Sequence, residues 1–420
     1  MVDLMVHEQQ SDTAGKSVPA GYKLTEVGVI PEDWGVKTIN EIAKVYSGGT
    51  PNRKIAQYWD GDIPWVTTTL IDGNDISHVD EYITDNGLNN SSTKWCDKDT
   101  LLMAMYGQGK TRGKVGILRI RATINQACAA ISLYEKASVK YLFHYLNSKY
   151  AEIRELSNSG GQENLSGTII KILPIPYPSD RERLIIADTL SDIDTFILTQ
   201  ERLLVKKQAI KTAAMQQLLT GKIRLPQFAL RKDGSVKGYK KSELGKIPED
   251  WVVSTFVSVI KIRHGKNQKH VECLDGEYPI YATGGQIGKA NAFLYNKPSV
   301  LIGRKGTIDK PRYTDKPFWT VDTLFYSEIS ESADAQFIYY KFCMIDWMQY
   351  NEASGVPSLN ASTIESIQTV LPSIEEQIAI ATILSDMDKE IQTLQQRLDK
   401  TRQLKQGMMQ ELLTGKTRLI

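Results

Sequence analysis

Apolar residues recur every three or four positions through two stretches of the chain. In residues 178–225 they are Leu190, Ile193, Ile197, Leu204, Ala214 and Leu218, with Gln200, Lys207 and Lys211 as polar members of the same seam. In residues 372–419 they are Leu384, Met387, Ile391, Leu394, Leu398, Met408 and Leu412, joined by Thr401 and Lys405. Most seam positions in both stretches are therefore apolar, and this 3.5-residue period predicts a coiled coil. A single helix buried in an ordinary core is the alternative. Apart from Gly407, neither stretch holds a Gly or Pro between its start and its closing glycine. Each is predicted to be one helix, about 60 Å long at 1.5 Å per residue. Both open with Pro-Ser-x-x-Glu, in which Ser179 with Glu182, and Ser373 with Glu376, form capping boxes. Both end in Leu-Leu-Thr-Gly-Lys, where Gly221 and Gly415 suit a left-handed stop.

The two stretches align without a gap at an offset of 194 residues, so each is a candidate partner for the other. Residues 179–194 carry five acids, and residues 202–224 carry six bases and no acid. An acidic start beside a basic end favours antiparallel pairing, although the second copy is less polarised.

Between these stretches, residues 35–150 and 252–345 alternate short β-branched or aromatic runs with Gly-rich turns. Ile63–Thr69, Tyr278–Thr283, Val115–Leu118 and Ser299–Ile302 are such runs, which predicts mixed sheets. Helices are expected at Val139–Leu156 and Ala335–Tyr350. A phrase ending Ile30-Pro-Glu-Asp-Trp34 returns as Ile247-Pro-Glu-Asp-Trp251, at an offset of 217 residues. It reads as a docking turn whose tryptophan anchors the chain on the domain core. The chain is thus a tandem repeat whose frame agrees while its globular inserts barely align. The expected fold is α+β: two mixed α/β domains separated by two long antiparallel helices with pseudo-twofold repetition. The expected division is a disordered start (1–20), a first globular domain (21–177), the first long helix (178–225), a linker (226–241) with the turn Asp233-Gly234, a second globular domain (242–371) and the second long helix (372–420).

Net charge of +2 over 420 residues confines any basic surface to local patches. Cys96, Cys128, Cys273 and Cys343 show no C-x-x-C spacing and are expected as buried free thiols in a reducing cytoplasm. The first 20 residues lack a signal-peptide core, and no apolar run approaches the length of a membrane span. Tyr106-Gly-Gln-Gly-Lys-Thr111 resembles the end of a P-loop, but Ala104 stands where the pattern needs glycine. Gly415-Lys416-Thr417 fails likewise at Gln410, and it closes a helix instead of opening one. No Asp/Asn-Pro-Pro-aromatic methyltransferase motif, clustered metal-ligand spacing or G-x-S-x-G elbow is present.

Basic loops are the better candidates for function. In the first half they offer Arg53, Lys54, Gln108, Lys110, Arg112 and Lys114, with Thr67, Thr68 and Thr69 ending a strand. In the second half they offer Lys266, Gln268, Lys269, Arg304, Lys305, Lys310 and Arg312, with Thr283 and Gln286 in a Gly-rich turn. Cations neutralise phosphates, while Arg and Gln pair bidentately with base edges. Recurrence at matching places in both halves favours a nucleic-acid surface over solvated turns.

The arrangement resembles the specificity subunits of type I restriction–modification enzymes. The resemblance runs from about residue 21 onward. It rests on the two Gly-x-Ile-Pro-Glu-Asp-Trp phrases, both Leu-Leu-Thr-Gly-Lys endings, and two target-recognition patterns. These are Gly48-Gly-Thr-Pro51 with Ile63-Pro-Trp65, and Tyr278-Pro-Ile-Tyr281 with Gly284-Gly-Gln-Ile-Gly288. It implies a non-catalytic reader of a bipartite double-stranded DNA site. It also implies two modification subunits with S-adenosylmethionine, and restriction subunits with ATP and Mg. The chain itself is expected to hold no cofactor. A coiled-coil scaffold without sequence readout, and an enzyme acting alone, are the competing readings.

Overall fold

The structure, a computed structural model, describes residues 18–107, 110–156 and 164–419. It divides into one unit of residues 1–200 with 397–420, and a second of residues 201–396. In the first unit, a five-stranded sheet runs in the order Ala43–Ser47, Cys128–Leu133, Leu101–Ala104, Val115–Leu118 and Asp75–Ile76. All four residues of Leu101–Ala104 are buried, because both faces of this central strand are covered. Leu101 and Met103 face one core with Tyr141 and Leu142, while Leu102 and Ala104 face another with Val66 and Ile124. That split follows the period-2 alternation of a strand. A smaller sheet joins Glu81–Ile83, Trp59–Val66, Ala122–Ile124 and Trp95–Cys96.

The second unit is wired in the same way. Its main sheet runs Ile260–His264, Leu324–Ile329, Ser299–Gly303 and Arg312–Thr314, and its smaller sheet Gly285–Ala290, Tyr278–Ala282 and Trp319–Thr320. In both small sheets the strand after the first basic loop pairs in parallel with a much later one. Inserts that barely align in sequence therefore share strand order. Buried alternation and chain order specify the sheet, and many residue sets satisfy them.

The long helices run Asp180–Leu218 and Ile374–Leu412, 39 residues each. They stop short of the predicted stretches because Gly221 and Gly415 turn left-handed, at φ of 70° and 69°. Ion pairs follow the helix charge pattern inside each unit. Lys405 meets Asp194 at 2.5 Å in the first unit. In the second, Lys207 meets Glu390 at 2.7 Å and Lys211 meets Asp388, so residue numbers rise on one helix as they fall on the other.

The capping boxes need correction. Ser179 and Ser373 accept from the amides of Glu182 and Glu376, at 3.3 and 3.4 Å. The two glutamate side chains do not return to the cap. Glu182 accepts from Trp34 Nε1 at 3.0 Å and from Arg418 at 2.5 and 2.9 Å. Arg418 also donates to Asp33 at 3.0 and 2.8 Å. In the second unit Glu376 accepts from Trp251 Nε1 at 3.1 Å and from Arg224 at 2.8 and 2.7 Å, and Arg224 reaches Asp250. The recurring phrase and the recurring helix end are thus two sides of one joint. A Cβ on Gly415 would lie 2.5 Å from Pro31 Cδ, and one on Gly221 2.5 Å from Pro248 Cδ. Glycine is needed there for close approach as well as for φ.

Other expectations also shift. The helix expected at Val139–Leu156 breaks into Val139–Ser148 and Tyr150–Glu155, where Ser148 Oγ donates to Tyr145 O at 2.6 Å and competes with the backbone ladder. Ala335–Tyr350 is a helix only to Cys343, and Asp346 caps a separate 3₁₀ turn, Trp347–Tyr350. The linker is ordered, with a turn of helix at Pro226–Ala229 and a strand, Tyr239–Ser242, paired with Gly245–Pro248. Cys96 and Cys128 are buried, but Cys273 and Cys343 are exposed. The expected disordered start lies almost wholly outside the described residues. Among the described residues, no helix is long and apolar enough to cross a membrane.

Candidate nucleic-acid interface

In the first unit, four hydrogen bonds gather the basic loops at one end of the main sheet. Gly49 N donates to Ile124 O at 3.0 Å, and Trp65 Nε1 to Gly49 O at 3.0 Å. Asn125 N donates to Val66 O at 3.0 Å, and Met105 N to Ala127 O at 2.8 Å. A Cβ on Gly48 would stand 1.8 Å from Ile124 O, so only glycine permits this crossing. Arg53 projects from the first loop, paired with Glu81 and stacked 3.9 Å from the Trp59 ring centroid. Lys54 beside it is exposed. Thr67 and Thr69 lie with their hydroxyls 2.6 Å apart around Thr68 in the 3₁₀ turn Thr68–Leu70. Lys110 is exposed and its carbonyl accepts from the Tyr150 hydroxyl at 2.6 Å. Arg112 and Lys114 are half-buried, and Gln108 lies outside the described residues. Beneath this end, burial pushes the Cys96 thiol up to about 11, so it stays protonated.

The second unit repeats the convergence with different residues. Lys266 N donates to Thr320 O at 2.8 Å, Val321 N to Tyr281 O at 3.0 Å, and Arg304 N to Thr323 O at 2.8 Å. Arg312 Nη2 donates to Gly284 O at 3.1 Å, tying the basic loop to the Gly-rich turn. A Cβ on Gly306 would meet Thr283 Oγ1 at 3.6 Å, which places these two loops side by side. Lys266, Lys269, Gln286, Lys305 and Lys310 are exposed, while Gln268, Thr283, Arg304 and Arg312 are half-buried. Each unit thus presents cations and small donors on backbone held by the ends of its two sheets. Such a surface can neutralise phosphates and offer donors to base edges.

Sequence reasoning missed one member of this surface. Gln126 accepts from the Thr50 hydroxyl of the first loop. It stands in no basic or Gly-rich run, and only tertiary pairing brings it in. In the second unit the loop between Tyr350 and Ala361 also meets the basic loop, where Gly306 N donates to Pro357 O at 2.8 Å.

Known proteins resemble the chain in both halves. Residues 31–207 and 248–402 match the family described as the type I restriction modification DNA specificity domain. The MjaIX specificity subunit of Methanocaldococcus jannaschii is 23% identical over 95% of this chain and 96% of its own. The EcoR124I/EcoR124II specificity subunit of Escherichia coli is 29% identical over 38% of this chain and 40% of its own. In fold, the chain is similar to the type I S subunit from M. genitalium, with a TM-score of 0.62 at 16% identity over 94% of this chain and 98% of that one. Matching repeats, matching sheets and a family match across both halves lead to one conclusion: the chain belongs to the family of type I restriction–modification DNA specificity subunits.

Proposed function

We propose that each unit reads one half of a bipartite double-stranded DNA site, and that the long helices pair as an antiparallel coiled coil that fixes the distance between the halves. The reader performs no chemistry itself. It directs two modification subunits, which carry S-adenosylmethionine, and restriction subunits, which carry ATP and Mg, in the cytoplasm. Arg53, Lys110 and Lys305 are assigned to phosphates, and Gln286, Arg304 and Arg312 to base edges. One observation carries the assignment: in both units the basic loops gather at one sheet end through backbone bonds, although the residues themselves differ. Two dissimilar loop sets on one wiring suit two different targets.

A second observation supports paired partners. Leu184 and Ile378, and likewise Ile210 and Leu404, are apolar and exposed at positions related by the 194-residue repeat. Repeated exposed apolar positions suit two copies of one partner.

Methylome sequencing of cells expressing the chain with its modification partner tests the reading. A split motif is expected. Replacing residues 35–150 with the matching part of another reader should change one half-site alone. A chain with no salt-dependent DNA affinity would support the scaffold reading instead.

A further inference from the structure

In the second unit, residues 351–360 join the turn Trp347–Tyr350 to the short helix Ala361–Ser366. Asn351 organises this loop from within. Its Oδ1 accepts from Ala353 N at 3.1 Å and Ser358 N at 2.9 Å, and its Nδ2 donates to Ala353 O at 2.9 Å. Glu352 N donates to Ser358 O at 3.0 Å. Three links then fasten the loop to the basic loop. Gly306 N donates to Pro357 O at 2.8 Å, Leu359 N to Arg304 O at 3.0 Å, and Lys305 forms a β-bridge with Ser358.

Outside this bracing stands the tip Ser354-Gly355-Val356, with Val356 65% exposed. A lone exposed valine needs no explanation. This one sits on backbone fixed from both sides, and its loop is bonded to Arg304, Lys305 and Gly306. Valine is stiff at χ1, so little ordering remains to be done on binding. Lys305 can hold a phosphate, but that contact cannot tell one base pair from another. An apolar group on rigid backbone can, because thymine alone among the DNA bases presents a methyl group in the major groove.

We propose that Val356 is a specificity-determining residue of the second unit, making apolar contact with the 5-methyl group of one thymine. This rests on the DNA-reading function proposed above. The matching fastening exists in the first unit, where Leu165 N donates to Met105 O at 3.0 Å, but residues 157–163 lie outside those described.

The test uses the full chain with its modification subunit, and duplexes carrying the motif found by methylome sequencing. Each thymine in the half-site assigned to the second unit is replaced in turn by uracil, which lacks only the methyl. One position should weaken parent binding about fourfold, the factor that corresponds to burying one methyl group. Val356→Ser should bind thymine and uracil equally at that position and keep every other preference. Three results would overturn the inference alone: no thymine whose effect depends on Val356, equal weakening on all duplexes, or a variant that loses only its hold on the modification subunit. A parent chain without any sequence preference would overturn the DNA-reading function as well.

Discussion

Arg418→Ala tests the joint between the N-terminal phrase and the end of the second long helix. The Glu182 side chain is 6% exposed and its carboxylate takes two bonds from Arg418 and one from Trp34. Removing the guanidinium leaves a buried carboxylate with the indole and no cation. Stranding a buried charge costs about 3–5 kcal/mol. The bonds to Asp33 add little, because that carboxylate is 65% exposed and such pairs contribute about 0–1 kcal/mol. Arg418 is itself 26% exposed, so entering water should soften the loss to about 3 kcal/mol. Arg224 is 6% exposed above Glu376, and Arg224→Ala should cost nearer 5 kcal/mol. The two joints lie in different units, so the readout is local: native-state hydrogen exchange in residues 31–34 and 248–251, alongside urea denaturation. Adding Glu182→Gln to Arg418→Ala should recover most of the loss, since the stranded charge is then gone. A cost below about 1 kcal/mol for Arg418→Ala, or no recovery in the double variant, would refute the argument.

Further outcomes follow from other residues. Burial holds the His144 imidazole down at about 3, against 6.5 when unfolded, so the unfolded state binds the extra proton and stability falls as pH drops below 6.5. The loss should reach about 2 kcal/mol at pH 5, and a His144→Gln variant should show a flatter pH dependence by urea denaturation. Gly415→Ala should destabilise by about 2–3 kcal/mol through positive φ and its contact with Pro31, measured by hydrogen exchange at the joint. Gly407→Ala should instead stabilise by about 0.5–1 kcal/mol in thermal unfolding, because a Cβ there meets nothing within 4 Å and the site is mid-helix. One extra heptad in each long helix, after Arg202 and after Gln396, should widen the unread gap of the methylated motif by about three base pairs, at 1.5 Å per residue against 3.4 Å per base pair.

The helices and loops were legible in the sequence to different depths. Apolar spacing located both long helices, because Leu190, Leu384 and Leu398 are buried where the seam requires. Turn chemistry located the basic loops, because Gly48 and Gly265 cross other strands where no side chain fits. The role of Glu182 was misread, because a capping box and an ion-pair joint begin with the same Ser-x-x-Glu. Only contact with Arg418, 236 residues away, separates them. Gln126 was invisible for the same reason, since its partner Thr50 is 76 residues away and nothing local marks the pairing.

The makeup of the first unit bears on the order in which the chain folds during synthesis. Leu412 and Leu413 lie in the same core as Trp34 and Ile186, so that core stays incomplete until residues 412 and 413 have left the ribosome. Residues 201–396 form the second unit as one unbroken run and have everything they need sooner. The portion translated first is therefore completed last. At about 5–20 residues per second it waits on the order of ten to forty seconds with apolar surface uncovered. Chaperones and proteases meet the nascent protein in that interval, and they should engage its N-terminal half preferentially.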